Sequence, residues 1–125
     1  MAKQAKPKIN RALETLISVE VVADAHDSEE RAMGWYSYLE EKLAFPFKAK
    51  CTIARAVSPL KIGEEVEVLD LAPADDCMSA MLVLIGFAGR TLGVPLAQLE
   101  AKGADAATRE AVALWRYWVA MGHEF

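Results

Sequence analysis

Carboxylates are the residues of this chain best placed to do chemistry. Between Lys61 and Arg90 there is no Lys or Arg, and the stretch carries Glu64, Glu65, Glu67, Asp70, Asp75 and Asp76. A second stretch free of bases, between Arg11 and Arg31, holds Glu14, Glu20, Asp24, Asp27, Glu29 and Glu30. Like charges at this density repel unless water, a base or a cation screens them. Ca²⁺ takes about six to eight oxygen ligands, and carboxylates supply them. The plainer reading of either stretch is a solvated acidic face that keeps the protein soluble.

Spacing narrows the metal chemistry. An EF-hand loop needs oxygen ligands at its first, third and fifth positions, Gly at the sixth and Glu at the twelfth. Counted from Asp24 the twelfth residue is Trp35, from Asp70 it is Met81, and from Asp75 it is Gly86. Any Ca²⁺ site must therefore be assembled from separate segments. Zinc would have to use Cys51, Cys77, His26 and His123, which form no CxxC or HExxH pair.

Catalytic signatures are equally sparse. There is no GxSxG elbow, and Gly86-Phe87-Ala88-Gly89 lacks the Lys-Ser/Thr of a phosphate-binding loop. Free cysteines are most often small core residues, and no motif pairs Cys51 or Cys77 with a histidine. The adjacent pair Asp75-Asp76 could in principle do acid–base work, but adjacent residues rarely face one pocket. The expectation is a protein that is not an enzyme.

Size and composition set the frame for those residues. The chain has 125 residues, 54% of them hydrophobic and 26% charged, with net charge −4 and pI near 5.2. This predicts one folded domain over 12–125 behind a loose basic tail, residues 1–11, which carries Lys3, Lys6, Lys8 and Arg11. The acidic balance argues against nucleic acid. No apolar run is long enough to span a bilayer, and no secretory leader is visible, so a soluble cytoplasmic protein without a membrane partner is expected. Two cysteines are too few for a disulfide scaffold.

The elements that must position the carboxylates follow from periodicity. Residues 9–23 read as a helix giving way to an extended segment, because Leu13, Leu16 and Ile17 suit a helix and Val19, Val21 and Val22 a strand. Residues 27–43 read as a helix capped by Asp27, with an apolar stripe of Ala32, Trp35, Tyr36, Leu39 and Leu43, ending before Phe45-Pro46. Strands are predicted at 47–53, 64–71, 80–88 and 91–96, with a bulge at Gly86, a tight turn at Gly89-Arg90 and a last short strand after 97–99. Residues 105–121 read as a helix capped by Asp105 and ended by Gly122. The tryptophans fall at helical spacing and read as core rather than as a stacking platform. The pattern predicts an α+β fold, a small SH3-like β-barrel of about five short strands flanked by N-terminal and C-terminal helices.

Several stretches together carry a resemblance. HDSEERAMGWYSYLEEKLAFPFKAKC (26–51), SPLKIGEEVEVLDLAPADDC (58–77), LGVPLAQLE (92–100) and WRYWVAMGHEF (115–125) follow one another over most of the chain. In these stretches the chain resembles the small bacterial calcium-binding proteins of the CcbP type. FPFKAKC and the Gly34-Trp35 helix are the more specific pieces. The resemblance implies a compact domain that binds Ca²⁺ through acidic side chains without an EF-hand, as a buffer or a sensor. The nearest candidate ligands are Asp70, Asp75 and Asp76 around one inter-strand loop, with Glu40, Glu41 and Glu64. The chain departs from the family pattern at Met78-Ser79-Ala80, where further acidic residues are expected, and at Phe87, where a tryptophan is. The alternative from another class is an SH3-like protein-interaction module whose metal binding is weakened or lost, with an unidentified protein partner.

Overall fold

Alternation of apolar and charged residues builds the sheet that carries the acidic loop. In the computed structural model, which describes residues 8–23 and 25–123, strand β1 (Phe47–Cys51) buries Phe47, Ala49 and Cys51. Strand β2 (Glu65–Leu71) buries Val66, Val68 and Leu71. The two pair antiparallel, with Phe47 opposite Val68 and Ala49 opposite Val66 on the inner face. Lys48 lies opposite Glu67 and Lys50 opposite Glu65 on the outer face, so the cross-strand charges are opposite in sign.

Strands β3 (Leu82–Phe87), β4 (Arg90–Pro95) and β5 (Leu99–Gly103) complete an antiparallel sheet of order β4-β3-β2-β1-β5. The expected closed barrel is not formed: β4 and β5 are the two edges of an open sheet. A 3₁₀ turn over Leu96–Gln98 separates them in sequence. Helix α3 packs against that turn and against β5. Pro95, which lacks an N–H, closes β4 on the other edge, where a proline costs no ladder bond.

Two local expectations are corrected. Gly86 does not interrupt β3, since its pairing with β4 runs unbroken through Gly86 opposite Thr91. The irregularity lies in β2, between Val68 and Asp70. The β3–β4 turn is Ala88-Gly89, not Gly89-Arg90; both residues have positive φ, 51° and 77°. That geometry matches the right-handed twist of the flanking strands.

Among the described residues three α-helices accompany the sheet, and α3 packs directly against β5. Helix α1 (Arg11–Leu16) is capped by Asn10 and runs on as a π-helical turn, Ile17–Val21, so the expected extended segment is helical. Ile17 and Val21, one turn apart, are both buried there. Residues 1–7 of the expected tail and Asp24 lie outside the described residues. Helix α2 (Ser28–Lys42) starts where Asp27 Oδ1 accepts the Glu30 N–H at 2.8 Å. Helix α3 (Ala106–Ala120) starts in the same way at Asp105 and ends at Gly122, whose φ is +84°.

The core is aromatic where α2 meets α3. Trp35, fully buried, meets Trp115 edge-on with ring centroids 4.9 Å apart and lies 5.5 Å from Trp118. Both cysteines are buried and unpaired, as expected of core residues. The π-turn crosses α2 so closely that a Cβ at Gly34 would overlap the Val21 carbonyl oxygen. Gly34→Ala is therefore expected to destabilise the fold by about 1–3 kcal/mol, although alanine is the better helix former. Denaturant unfolding measures this, and an unchanged midpoint would contradict the close packing.

The α3 cap also sets an acid limb. Hydrogen bonds from the Thr108 backbone and side chain hold the Asp105 carboxyl below its ordinary value. A carboxylate depressed in the folded state contributes stability above its unfolded pKa and loses it as pH falls through the folded value. Asp105→Asn keeps a capping oxygen without that titration. Its stability is expected to fall less steeply than that of the unaltered chain below the ordinary Asp range. Parallel slopes in acid unfolding curves would refute this.

Candidate metal site

The acidic loop is held between a strand end and a helix. Asp70 is the penultimate residue of β2, and one of its oxygens accepts the Leu71 N–H at 2.8 Å. Pro73 then leads into a 3₁₀ turn, Ala74–Cys77, which holds Asp75 and Asp76 in its first turn and packs against α2. Cys77 anchors the turn from below. Its buried sulfur accepts the Leu82 N–H at 3.4 Å. Burial pushes the thiol pKa up, the Leu82 backbone hydrogen bond opposes this, and the charge on Asp76 adds to the rise.

Helix α2 supplies the other wall. The Tyr36 hydroxyl donates to the Ala72 carbonyl at 2.8 Å, tying the helix to the start of the loop. Burial raises the Tyr36 pKa, and the negative charges of Cys77, Glu40 and Asp70 raise it further. The Tyr36 bond to Ala72 brings α2, which carries Glu40, to the end of β2 that carries Asp70. Glu40, Asp70, Asp75 and Asp76 are all exposed.

The other two candidates lie elsewhere. Glu41 is next to Glu40, but successive helical residues point about 100° apart. Its charge acts on Tyr38, together with Glu20 of the π-turn and Glu110 of α3. Glu64 precedes β2, six residues before Asp70, which places it roughly 20 Å away along the strand. One of its oxygens accepts the Lys61 N–H at 3.0 Å. Asp70, Asp75 and Asp76 thus follow one another along a loop that packs against α2, the helix of Glu40, whereas Glu64 lies at the opposite end of β2.

Tyr36 was read from sequence only as part of an apolar stripe. Its i,i+4 spacing to Glu40 on a helix is the signal that places it beside a carboxylate. The turn beyond it, Met78-Ser79-Ala80, brings no carboxylate.

Among the described residues, no three His, Cys, Asp or Glu side chains stand close enough together to hold a metal ion. Exposed carboxylates around a short turn can still converge by side-chain rotation. Ca²⁺ accepts carboxylate, carbonyl and water oxygens in variable geometry. The exposed donors of this loop, Asp70, Asp75 and Asp76, are all oxygen, while the Cys77 sulfur is buried beneath it, which suits a hard cation and not zinc.

Comparison with known proteins agrees with that chemistry. Residues 15–119 match the family described as calcium binding, of the CcbP type. The chain is similar to the crystal structure of CcbP from Anabaena, at 38% identity over 98% of this chain and 100% of that one, with a TM-score of 0.84. It is also similar to a calcium-binding protein solved in its calcium-binding form, at 40% identity over 98% and 100% of the two chains, with a TM-score of 0.82. No curated protein sequence matches it.

Proposed function

The chain belongs to the CcbP family of calcium-binding proteins, and from that membership we propose that it takes up Ca²⁺ at the loop formed by Asp70, Asp75 and Asp76, with Glu40 as the contribution of α2. The observation that carries this reading is the bond from the Tyr36 hydroxyl to the Ala72 carbonyl, which ties the helix of Glu40 to the start of the acidic loop. Uptake of a divalent cation would relieve the repulsion among these carboxylates. Because the 78–80 turn adds no charge, the site has fewer carboxylates than the family pattern leads us to expect. Fewer ligand charges weaken affinity. We assign the protein a buffering or sensing role in a reducing cytoplasm, which the two free cysteines suit.

Two readouts test the proposal. A cation bound to the folded state raises the melting temperature by mass action, so Tm should rise with Ca²⁺ after removal of metal by chelator. A cation at Glu40 and Asp70 should also lower the Tyr36 pKa, since it cancels the negative charge that raises it. Phenolate absorbance in an alkaline titration, compared with Tyr36→Phe, measures that shift. Ca²⁺ that raises Tm but leaves Tyr36 unmoved would place the ion away from this loop.

A second reading rests on the strand order and on the 3₁₀ turn before β5. If the sheet is of SH3-like kind, the protein would serve as an interaction module for a protein partner. A Tm indifferent to Ca²⁺ favours this reading.

A further inference from the structure

The excursion between β1 and β2 has the opposite chemistry to the acidic loop. Between Thr52 and Gly63 the chain carries Arg55 and Lys61 and no Asp or Glu. Within residues 52–64, Val57 is 85% and Ile62 67% exposed, and Arg55 and Lys61 beside them are exposed too. This is a built loop. Buried Gln98 donates through Nε2 to the Ile53 carbonyl at 2.9 Å. Leu60 is buried as an anchor, and the Gly63 N–H bonds the Cys51 carbonyl at 2.8 Å. The acidic groups nearby sit at its base: Glu64 is engaged with the Lys61 N–H, and Glu65 lies opposite Lys50 on β1.

We propose that this loop docks the protein on an anionic lipid bilayer. Val57 and Ile62 enter the boundary between headgroups and acyl chains, while Arg55 and Lys61 meet the negative headgroups. Exposed aliphatic residues close to bases in the chain suit a soft, negatively charged apolar surface. An acidic protein surface would also satisfy the bases, but protein interfaces are built around aromatic, Met and Arg anchors, and of these the loop has Arg55 alone. The charge layout orients the docked molecule, because Asp70, Asp75 and Asp76 lie at the far end of β2 and face away from the lipid. The expectation of no membrane partner rested on the lack of a spanning run. Among the described residues no helix is long and apolar enough to cross a membrane, and peripheral docking requires none.

Co-sedimentation with vesicles tests this. The full chain is mixed, in chelator, with vesicles of phosphatidylcholine and phosphatidylserine in equal parts, or of phosphatidylcholine alone. Chelator prevents Ca²⁺ from bridging carboxylates to lipid, so the result does not depend on the calcium reading. The unaltered chain should sediment with the mixed vesicles only. Val57→Ser with Ile62→Ser, and separately Arg55→Gln with Lys61→Gln, should each weaken association by about ten-fold or more with Tm unchanged. No association with the mixed vesicles overturns the proposal and leaves an acidic protein as the partner. Undiminished association of the serine variant also overturns it, because adsorption then needs no apolar insertion. Equal binding to both vesicle types removes the role of the charges and overturns it as well.

Discussion

Replacing Asp70, Asp75 and Asp76 together by Asn should weaken Ca²⁺ binding by about a hundred-fold or more, because ligand charge sets affinity over several decades. Asn keeps an oxygen of the same reach, so the Asp70 bond to the Leu71 N–H can survive. The turn fold is further held by Cys77 and by the Tyr36 bond to Ala72. The loss should therefore appear in affinity and not in chelator-treated stability. Glu40→Gln should have a smaller effect in the same direction. Glu64→Gln should change affinity by less than about two-fold, since it lies roughly 20 Å along the strand from Asp70 and charges beyond a Debye length are screened. Glu41→Gln should change it less than Glu40→Gln, since successive helical residues point about 100° apart. Competition against a chromophoric chelator gives each constant. An unchanged affinity in the triple variant would move the site elsewhere, and a large effect of Glu64→Gln would place it at the other end of β2.

Trp35→Ala should be the most damaging single change to the fold, costing about 3–5 kcal/mol. Trp35 is fully buried and touches three aromatic rings, those of Tyr38, Trp115 and Trp118. It joins α2, which carries Tyr36 and Glu40, to α3 on the far side. Its Nε1 has no hydrogen-bond partner among the described residues, so Trp35→Phe removes an unsatisfied donor and should cost much less than Ala. Urea unfolding of the two variants separates these outcomes. A cost near 1 kcal/mol for Ala, typical of an ordinary position, would mean that the aromatic cluster is not the keystone of the helical layer.

Much of the architecture was legible because short-range rules decide it. Asp27 and Asp105 precede α2 and α3 and cap them as their side chains dictate. The alternation Phe47-Lys48-Ala49-Lys50-Cys51 could only be a strand with one buried face. What escaped was set by neighbours far along the chain. Ile17, Val19 and Val21 have strand-forming side chains, yet the segment stays helical with Ile17 and Val21 buried and Gly34 of α2 against the Val21 carbonyl. Ala88 at positive φ gives no compositional sign of its turn. Whether five strands close depends on the edges, which no local pattern reports, and here α3 packs along the β5 edge.

The candidate site was legible as a composition and not as a geometry. The absence of bases between Lys61 and Arg90 identified the acidic loop. It could not divide Glu40 from Glu41, which helical geometry turns apart, or Asp70 from Glu64, which a strand holds at opposite ends. Tyr36 was hidden by its own chemistry, because it packs against the core while its hydroxyl donates to the Ala72 carbonyl.

The most direct test is calorimetric titration of the chelator-stripped chain with Ca²⁺, alongside an equal titration with Mg²⁺. Saturable heat with Ca²⁺ and little with Mg²⁺ is the predicted result, and the triple Asn variant should abolish it over the same range. No heat up to millimolar Ca²⁺ would contradict the proposal, and would mean that a chain with Met78-Ser79-Ala80 in place of further carboxylates keeps the family's fold without its ion.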